Sequence, residues 1–236
     1  MPSKLIGCSI ASSGFGILLN ALRGEGTEGL PLCFNVRRVL ESTSLAAAAA
    51  TLRASRRDRP NNCTIVSPQG AAHLEITIDG VGVVRPLSSE PLVVQAEPTA
   101  GLGQFEGGMI VHTNHCLHPE LSGLNSQFAE IFQSVPRLAR ATALLQPAAA
   151  APAAAAATAM QQVGTVQAVL RDHQNFPRST CRHSNGDEET GDWITVLSVV
   201  MDVRAGVLAC ARGPPCCNEY MDYSLHGSPT AAAASF

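Results

Sequence analysis

The 236-residue sequence predicts an α+β fold, with helices packed over antiparallel sheet in a layered αββα arrangement. Two observations support this prediction. Residues 62–112 contain short β-prone runs, such as AHLEITIDG and GGMIVHT, separated by Gly, Pro and Asp. Such runs are typical of antiparallel strands joined by tight turns. Segments on both sides of this region carry apolar residues at helical spacing, so we expect helices there.

The N-terminal part predicts two strands followed by two helices. Leu5–Ile10 and Phe15–Leu19 are apolar runs bracketed by Gly and Ser, which favours adjacent buried strands. Pro31–Glu41 has apolar residues at helical spacing, and proline suits the first turn of a helix. Residues Ser42–Ser44 can supply the N-cap of a second, alanine-rich helix over Leu45–Arg53.

The middle of the chain predicts helices interrupted by a low-complexity insertion. Leu124–Leu145 is helical in pattern, and we expect Pro136 to begin a new helix capped by Ser134. Pro147–Ala159 is nearly pure alanine, which indicates an insertion that packs against nothing in particular.

The C-terminal part predicts one helix and a hairpin. We expect the helix over Met160–His173, and the hairpin strands over Trp193–Val203 and Gly206–Ala211. Residues 1–228 are expected to form one domain that includes the insertion, and residues 229–236 a disordered tail.

Composition excludes several classes of protein. Hydrophobic residues make up 45% of the chain and charged residues 15%, which is a globular composition. A net charge of −3 gives no basic surface for nucleic acid, and no apolar run is long enough to span a membrane. The eight cysteines are too few for a disulfide scaffold, so we expect reduced thiols. The C-terminal Ala-Ser-Phe is not a peroxisomal signal, and we expect a cytoplasmic protein by default.

Three pairs of segments, taken in order, carry a resemblance to a known family. They are GFGILLNAL with GLPLCFNVRRVLESTS, VHTNHCL with SVPRLARATALL, and VLRDHQNFPRSTCRH with TVLSVVMDVRAGVLACARGPPC. In this order and spacing, the sequence resembles the penicillin acyltransferase (acyl-coenzyme A:6-aminopenicillanate acyltransferase, peptidase C45-like) family. The resemblance covers nearly all of residues 5–223 except the alanine insertion.

The resemblance implies an Ntn-hydrolase with an αββα sandwich. In such enzymes the precursor cleaves itself at a Gly-Cys bond, and the new N-terminal cysteine attacks small amides or acyl groups. Its own α-amino group acts as the base, so one residue fills two roles of a catalytic triad. The partner implied is therefore a small-molecule amide or acyl donor.

The family's Gly-Cys pair belongs well upstream of GFGILLNAL, so we expect this chain to be a C-terminal part that lacks its nucleophile strands and is inactive alone. Gly7-Cys8-Ser9 copies the cleavage tripeptide, but Cys8 falls inside a strand in the family pattern and is not expected to be the nucleophile. A truncated gene model, a diverged non-catalytic protein and a subunit completed by another chain or by the upstream segment all remain open.

Two asparagines match residues of the family's active site. Asn114 in VHTNH matches the asparagine that donates to the oxyanion, and Asn20 in GILLNAL matches a second polar residue of that pocket. An amide N–H stabilises negative charge on a carbonyl oxygen without titrating. The other interpretation of Asn114 is a turn asparagine that bonds its own backbone.

Arg182 in STCRH matches an arginine that the family holds near the nucleophile. A guanidinium there can favour a thiolate and order polar groups. The alternative is a surface ion pair with an acidic residue of 187–189. His183 and Asp172 are expected to be structural partners.

The other function considered is a non-catalytic metal-binding or interaction protein. The residues that raise it are His112, His115, Cys116 and His118, with Cys181, His183, Cys216 and Cys217 elsewhere. HTNHCLH gives only a His-x2-His pair, which departs from the usual zinc spacings, so the sequence predicts no metal and no other cofactor.

Overall fold

The computed structural model describes residues 8–11, 13–22, 24, 26, 28–55, 58–67, 70–78, 80–84, 109–127, 131–149, 159–186 and 192–226. The chain forms two compact units, one of residues 1–128 with 203–206 and the other of residues 129–202 with 207–236. Both units combine helices with antiparallel sheet, so the α+β class is confirmed. In the part of the chain described, no helix is both long and apolar enough to cross a membrane.

The first unit contains a five-stranded antiparallel sheet in the order β1-β2-β3-β4-β5. Its strands are β1 (Cys8–Ile10), β2 (Gly16–Ala21), β3 (Asn61–Ser67), β4 (Gly70–Ile76) and β5 (Val81–Val83). The sequence predicted these strands, because each is an apolar or β-prone run bounded by turn residues. The prediction for residues 85–108 lies outside the described residues.

Two helices, α1 (Leu32–Leu40) and α2 (Leu45–Ala54), connect β2 to β3, as predicted. The side chain of Ser44 caps α2 by accepting a hydrogen bond from the backbone N–H of Ala47 at 3.1 Å. The helices bury an apolar stripe against one face of the sheet. The core there consists of Phe15, Ile17, Val39, Leu45, Ala48, Ala49, Leu52, Cys63, Ile65, Ala72, Leu74 and Ile76. A short 3-10 helix, Ser122–Gln127, also belongs to this unit.

The second unit has helices α3 (Ile131–Ala149) and α4 (Ala159–Leu170) and the sheet β6-β7-β8. The strands β6 (Leu197–Asp202) and β7 (Val207–Arg212) form the predicted hairpin, and the sequence analysis missed β8 (Met221–Ser224). Gly206 in the hairpin loop has a φ of 65°, a left-handed conformation that favours glycine.

The prediction that Pro136 begins a helix is wrong, because α3 starts at Ile131 and continues through it. Proline removes one backbone N–H from the second turn of the helix, and the helix continues on both sides of it. The helix also extends to Ala149, so the first residues of the expected insertion are helical, and Ala159 already belongs to α4. Residues 150–158 and the predicted tail lie outside the described residues.

Candidate functional site

The second face of the first unit's sheet is polar. Asn20, Asn62 and Glu75 lie opposite one another on β2, β3 and β4, and Gly82 of β5 continues the row. Directly paired residues of antiparallel strands share a face, so these side chains form one line across the sheet. Asn62 and Glu75 are fully buried.

Glu75 holds the segment that contains the VHTNHCL motif. One carboxylate oxygen accepts hydrogen bonds from His112 Nε2 at 2.8 Å and from the backbone N–H of Leu117 at 2.5 Å. The other oxygen accepts from the backbone N–H of His118 at 2.9 Å. A buried carboxylate needs such partners to offset the loss of hydration, and here it fixes both ends of residues 112–118.

His73 lies in the adjacent row of the same face, paired with Thr64. Its ring contacts Asn62 Nδ2 at 2.5 Å and Thr64 Oγ1 at 2.7 Å, and the ring of His112 lies 4.7 Å away. Burial, and then the charge of His112, lower the pKa of His73 to about 3. His73 is therefore a neutral hydrogen-bonding residue at physiological pH.

Both ring nitrogens of His112 face oxygen acceptors, because Nδ1 lies 2.7 Å from the carbonyl of Thr113 and Nε2 faces Glu75. The role of His112 is to hold the segment in place.

Cys116 is anchored from the other side of the motif. Its backbone N–H donates to Asn125 Oδ1 at 2.8 Å, and its carbonyl accepts from Asn125 Nδ2 at 2.8 Å. Burial, and then the charge of Glu75, raise the pKa of Cys116 to about 12. This cysteine is therefore a buried thiol and does not supply a thiolate nucleophile.

Asn114 lies between these anchors and is half-buried. Its Nδ2 donates to the backbone carbonyl of Ala21 at 3.1 Å, and Ala21 follows Asn20 in β2. Asn114 is therefore bonded to the residue that follows Asn20 in β2, although the two asparagines are far apart in sequence. The bond to Ala21 differs from the bond to its own backbone that a turn asparagine would make.

Arg182 belongs to the second unit and is half-buried. Its backbone N–H donates to Thr195 Oγ1 at 2.9 Å, and its guanidinium donates to Gln133 Oε1. Burial, and then the charge of Arg182, lower the pKa of Arg137 to about 10, so both guanidinium groups stay cationic at neutral pH. The acidic residues 187–189 lie outside the described residues, and the meeting of Arg182 with Asn20 and Asn114 stays a prediction.

Cys8 lies in β1 and pairs with Leu18 of β2, which places it on the polar face. Cys8 therefore lies within a strand, as the sequence predicted. Asp172, expected to be a structural partner, bonds Arg140 Nη2 at 2.7 Å and the backbone N–H of Gln174 at 3.0 Å.

The histidines of HTNHCLH do not converge on a common point as metal ligands would. His112 bonds Glu75, and His115 Nδ1 lies 3.2 Å from Thr113 Oγ1. Among the described residues, the ligand atoms that do come together are those of His173, Cys181, His183 and Cys216, all within 4.8 Å of one another. The sequence analysis had named three of these four residues, but not as one set.

Sequence analysis also missed Asn62, His73 and Glu75. The available signal was the alternation of His73, Glu75 and Thr77 with apolar residues along β4. Such alternation is typical of a strand with one solvent-exposed face. In the structure all three side chains are buried, so this part of the polar face is covered.

A comparison with protein families matched most of the chain. A sequence model of the family described as "Acyl-coenzyme A:6-aminopenicillanic acid acyl-transferase" matches residues 1–213. The comparison with curated proteins gave no match. The family match covers the strands of the polar face, the HTNHCLH segment and the segment around Arg182. This chain therefore belongs to the acyl-coenzyme A:6-aminopenicillanic acid acyltransferase family.

Proposed function

We propose that this protein works in amide or acyl-group chemistry on small molecules, as a peptidase C45-like acyltransferase or amidohydrolase of the Ntn-hydrolase type. The observation that carries the proposal is the position of Asn114. A buried carboxylate, Glu75, fixes the segment that places this amide against the end of β2, beside Asn20. A structural loop does not require a buried charge, whereas a preorganised hydrogen-bond donor needs a rigid support.

In the proposed reaction an N-terminal cysteine thiol attacks the carbonyl carbon of the substrate, and its α-amino group takes the thiol proton. The carbonyl oxygen gains negative charge, which an N–H of Asn114 stabilises. Because one N–H of this amide donates to Ala21, the direction of the whole group is fixed before substrate binds. Collapse of the intermediate expels the leaving group, which takes the proton, and the thioester formed is then attacked by water or by an acceptor amine.

Asn20 and Asn62 line the same pocket in this proposal. They lie opposite each other on β2 and β3, and Asn62 Oδ1 is a buried acceptor that has no hydrogen-bond partner among the described residues. An unpaired buried acceptor is costly, so it favours a polar group of the substrate or the nucleophile's amine as its partner. The family resemblance alone assigns to Arg182 the positive charge that favours the thiolate.

The proposed nucleophile is an N-terminal cysteine of the family's type and not Cys8. Use of Cys8 would require cleavage of the Gly7–Cys8 bond next to β1, a strand that pairs with β2. An upstream segment or a second polypeptide would then supply the nucleophile. Intact-mass measurement should show chains that begin at Met1 or Pro2, and an N-terminus at Cys8 would instead make Cys8 the nucleophile.

The test is an acyl-transfer assay with the compounds in the family's description, an acyl-coenzyme A and 6-aminopenicillanic acid, with amide hydrolysis measured in parallel. It is run on the 236-residue chain and on the same chain expressed with the sequence encoded upstream of Met1. We expect turnover in the second form, and a loss of about 100-fold in kcat for Asn114→Ala. Glu120→Gln, an exposed change in the neighbouring loop, is the matched control. Absence of turnover in both forms, or turnover that Asn114→Ala leaves unchanged, would refute the proposal.

A further inference from the structure

Four potential metal ligands converge in the second unit. His173, Cys181 and His183 lie in the loop that follows α4, and Cys216 lies in the segment that follows β7. Their ligand atoms all lie within 4.8 Å of one another. Two sulfurs and two imidazole nitrogens are the donor set that structural zinc takes in proteins.

The three distances from His183 Nε2 match those around a tetrahedral ion. Zinc bonds of about 2.3 Å to sulfur and 2.0–2.1 Å to nitrogen place two nitrogens about 3.4 Å apart, and a nitrogen and a sulfur about 3.6 Å apart. The nitrogens His173 Nε2 and His183 Nε2 are 3.2 Å apart. His183 Nε2 is 3.6 Å from Cys181 Sγ and 3.4 Å from Cys216 Sγ.

Hydrogen bonding alone does not explain this arrangement. His183 Nε2 contacts three heteroatoms, yet a ring nitrogen carries either one hydrogen or one lone pair. At most one of the three contacts is therefore a good hydrogen bond. The four ligand atoms are close enough together to bind one ion.

The loop that carries three of these residues is held by its own backbone. The N–H of Cys181 donates to the carbonyl of Asp172 at 3.1 Å, and the N–H of His183 donates to that of Pro177 at 3.0 Å. The ring of Phe176 packs against both histidine rings, with centroids 5.8 Å from His173 and 5.1 Å from His183. The side chains are therefore oriented by contacts that do not involve a metal, as expected of a preorganised site.

We propose that His173, Cys181, His183 and Cys216 form a tetrahedral Zn²⁺ site. The donor set favours zinc over magnesium or calcium, which prefer oxygen ligands. Two of the ligands flank Arg182, so the ion fixes the peptide on both sides of that residue. The site is independent of the proposed acyl chemistry, because metal binding is measured directly and without substrate.

Cys217 provides a matched control for Cys216. Both thiols are exposed, but Cys217 is not one of the four converging residues. Its Sγ lies 3.5 Å from the carbonyl of Pro214 and 3.8 Å from Cys216 Sγ. Because the two serine variants alter neighbouring exposed positions, a difference in metal binding between them reports on ligation and not on folding.

The experiment uses the full chain, purified under reducing conditions, with zinc measured by elemental mass spectrometry. The chelator-treated chain is then titrated with Co²⁺, and Zn²⁺ is added in competition. We expect about one zinc per chain, and a cobalt spectrum with thiolate charge-transfer and tetrahedral d–d bands. Cys216→Ser and His173→Gln, both at exposed positions, should weaken binding at least tenfold, whereas Cys217→Ser should bind like the unaltered chain.

Three results would overturn the assignment. The first is a folded, reduced chain with no zinc and no cobalt spectrum. The second is metal that Cys216→Ser and His173→Gln leave in place, because that ion would have other ligands, such as the histidines of residues 112–118. The third is a peptide map of the protein isolated without reductant that shows Cys181 and Cys216 joined as a disulfide, since oxidised thiols do not bind zinc.

Discussion

Replacement of Glu75 tests whether the buried carboxylate holds the HTNHCLH segment. Glu75→Ala leaves the N–H groups of Leu117 and His118 and the ring of His112 without their acceptor. Each hydrogen bond to a charged group contributes about 1.5–3 kcal/mol to stability. Because the three bonds share one carboxylate and are not additive, we expect a loss of about 4 kcal/mol.

The two backbone amides provide a local measurement of this loss. Their hydrogen exchange reports the free energy needed to open the segment, and each 1.4 kcal/mol changes the rate about tenfold. Exchange at Leu117 and His118 should therefore accelerate about 1,000-fold in Glu75→Ala. In Glu75→Gln one oxygen still accepts, so we expect a loss of about 2 kcal/mol and an acceleration of about 30-fold.

Glu41→Gln is the control, because Glu41 forms an exposed ion pair with Arg37 in α1. Exposed helical pairs contribute about 0.3–0.5 kcal/mol, so the two loop amides should exchange as in the unaltered chain. If Glu75→Ala accelerated their exchange no more than Glu41→Gln does, the carboxylate would not hold the segment. The support that we assign to Asn114 would then have to come from elsewhere.

Two further predictions concern the same face of the sheet. A Cβ at Gly82 would lie 2.6 Å from the ring of His118, so Gly82→Ala should cost about 1–3 kcal/mol of stability in urea unfolding, whereas Gly80→Ala, with nothing within 4 Å, should be nearly neutral. Folding lowers the pKa of His73 from 6.5 to about 3, so below pH 6.5 the unfolded chain takes up a proton that the folded chain excludes. Stability should fall by about 1 kcal/mol per pH unit between pH 6.5 and about 3, and His73→Gln should remove this part of the slope; an equal slope in both proteins would contradict the assignment.

The sequence predicted the elements whose stability is local. The helix α2 has an N-cap at Ser44 and buries Leu45, Ala48, Ala49 and Leu52. The capping residue and the helical spacing of the buried residues are both visible in the sequence. The prediction at Pro136 was wrong because proline usually breaks a helix, whereas α3 continues through this residue. A proline inside a helix has a free-energy cost, and it does not forbid the helix. The other residues of α3, which begins at Ile131, can offset that cost.

The site was predictable only where one segment carries a family motif. Asn114 and Asn20 were named in this way, but the contact of Asn114 with β2 depends on a hydrogen bond to Ala21, which is 93 positions away in sequence. Glu75 was missed because period-2 alternation does not say what covers the polar face of a sheet. The four ligands were missed as a set because the loop geometry, and not a regular zinc spacing, brings His173 beside Cys181 and His183.

Glu75 and Asn114 have different roles on the polar face, and the difference follows from the groups that a carboxylate can bind. Glu75 accepts from two consecutive backbone N–H groups, which every residue type except proline provides at those positions. The shape of the segment therefore depends on a residue of β4 more than on the side chains of Leu117 and His118. The segment therefore does not need a charged or titrating side chain at position 114. Asn114 instead donates its amide N–H to the carbonyl of Ala21. A non-titrating donor on a segment held by a buried carboxylate suits the proposed oxyanion stabilisation, because such a donor needs no reorganisation when charge develops.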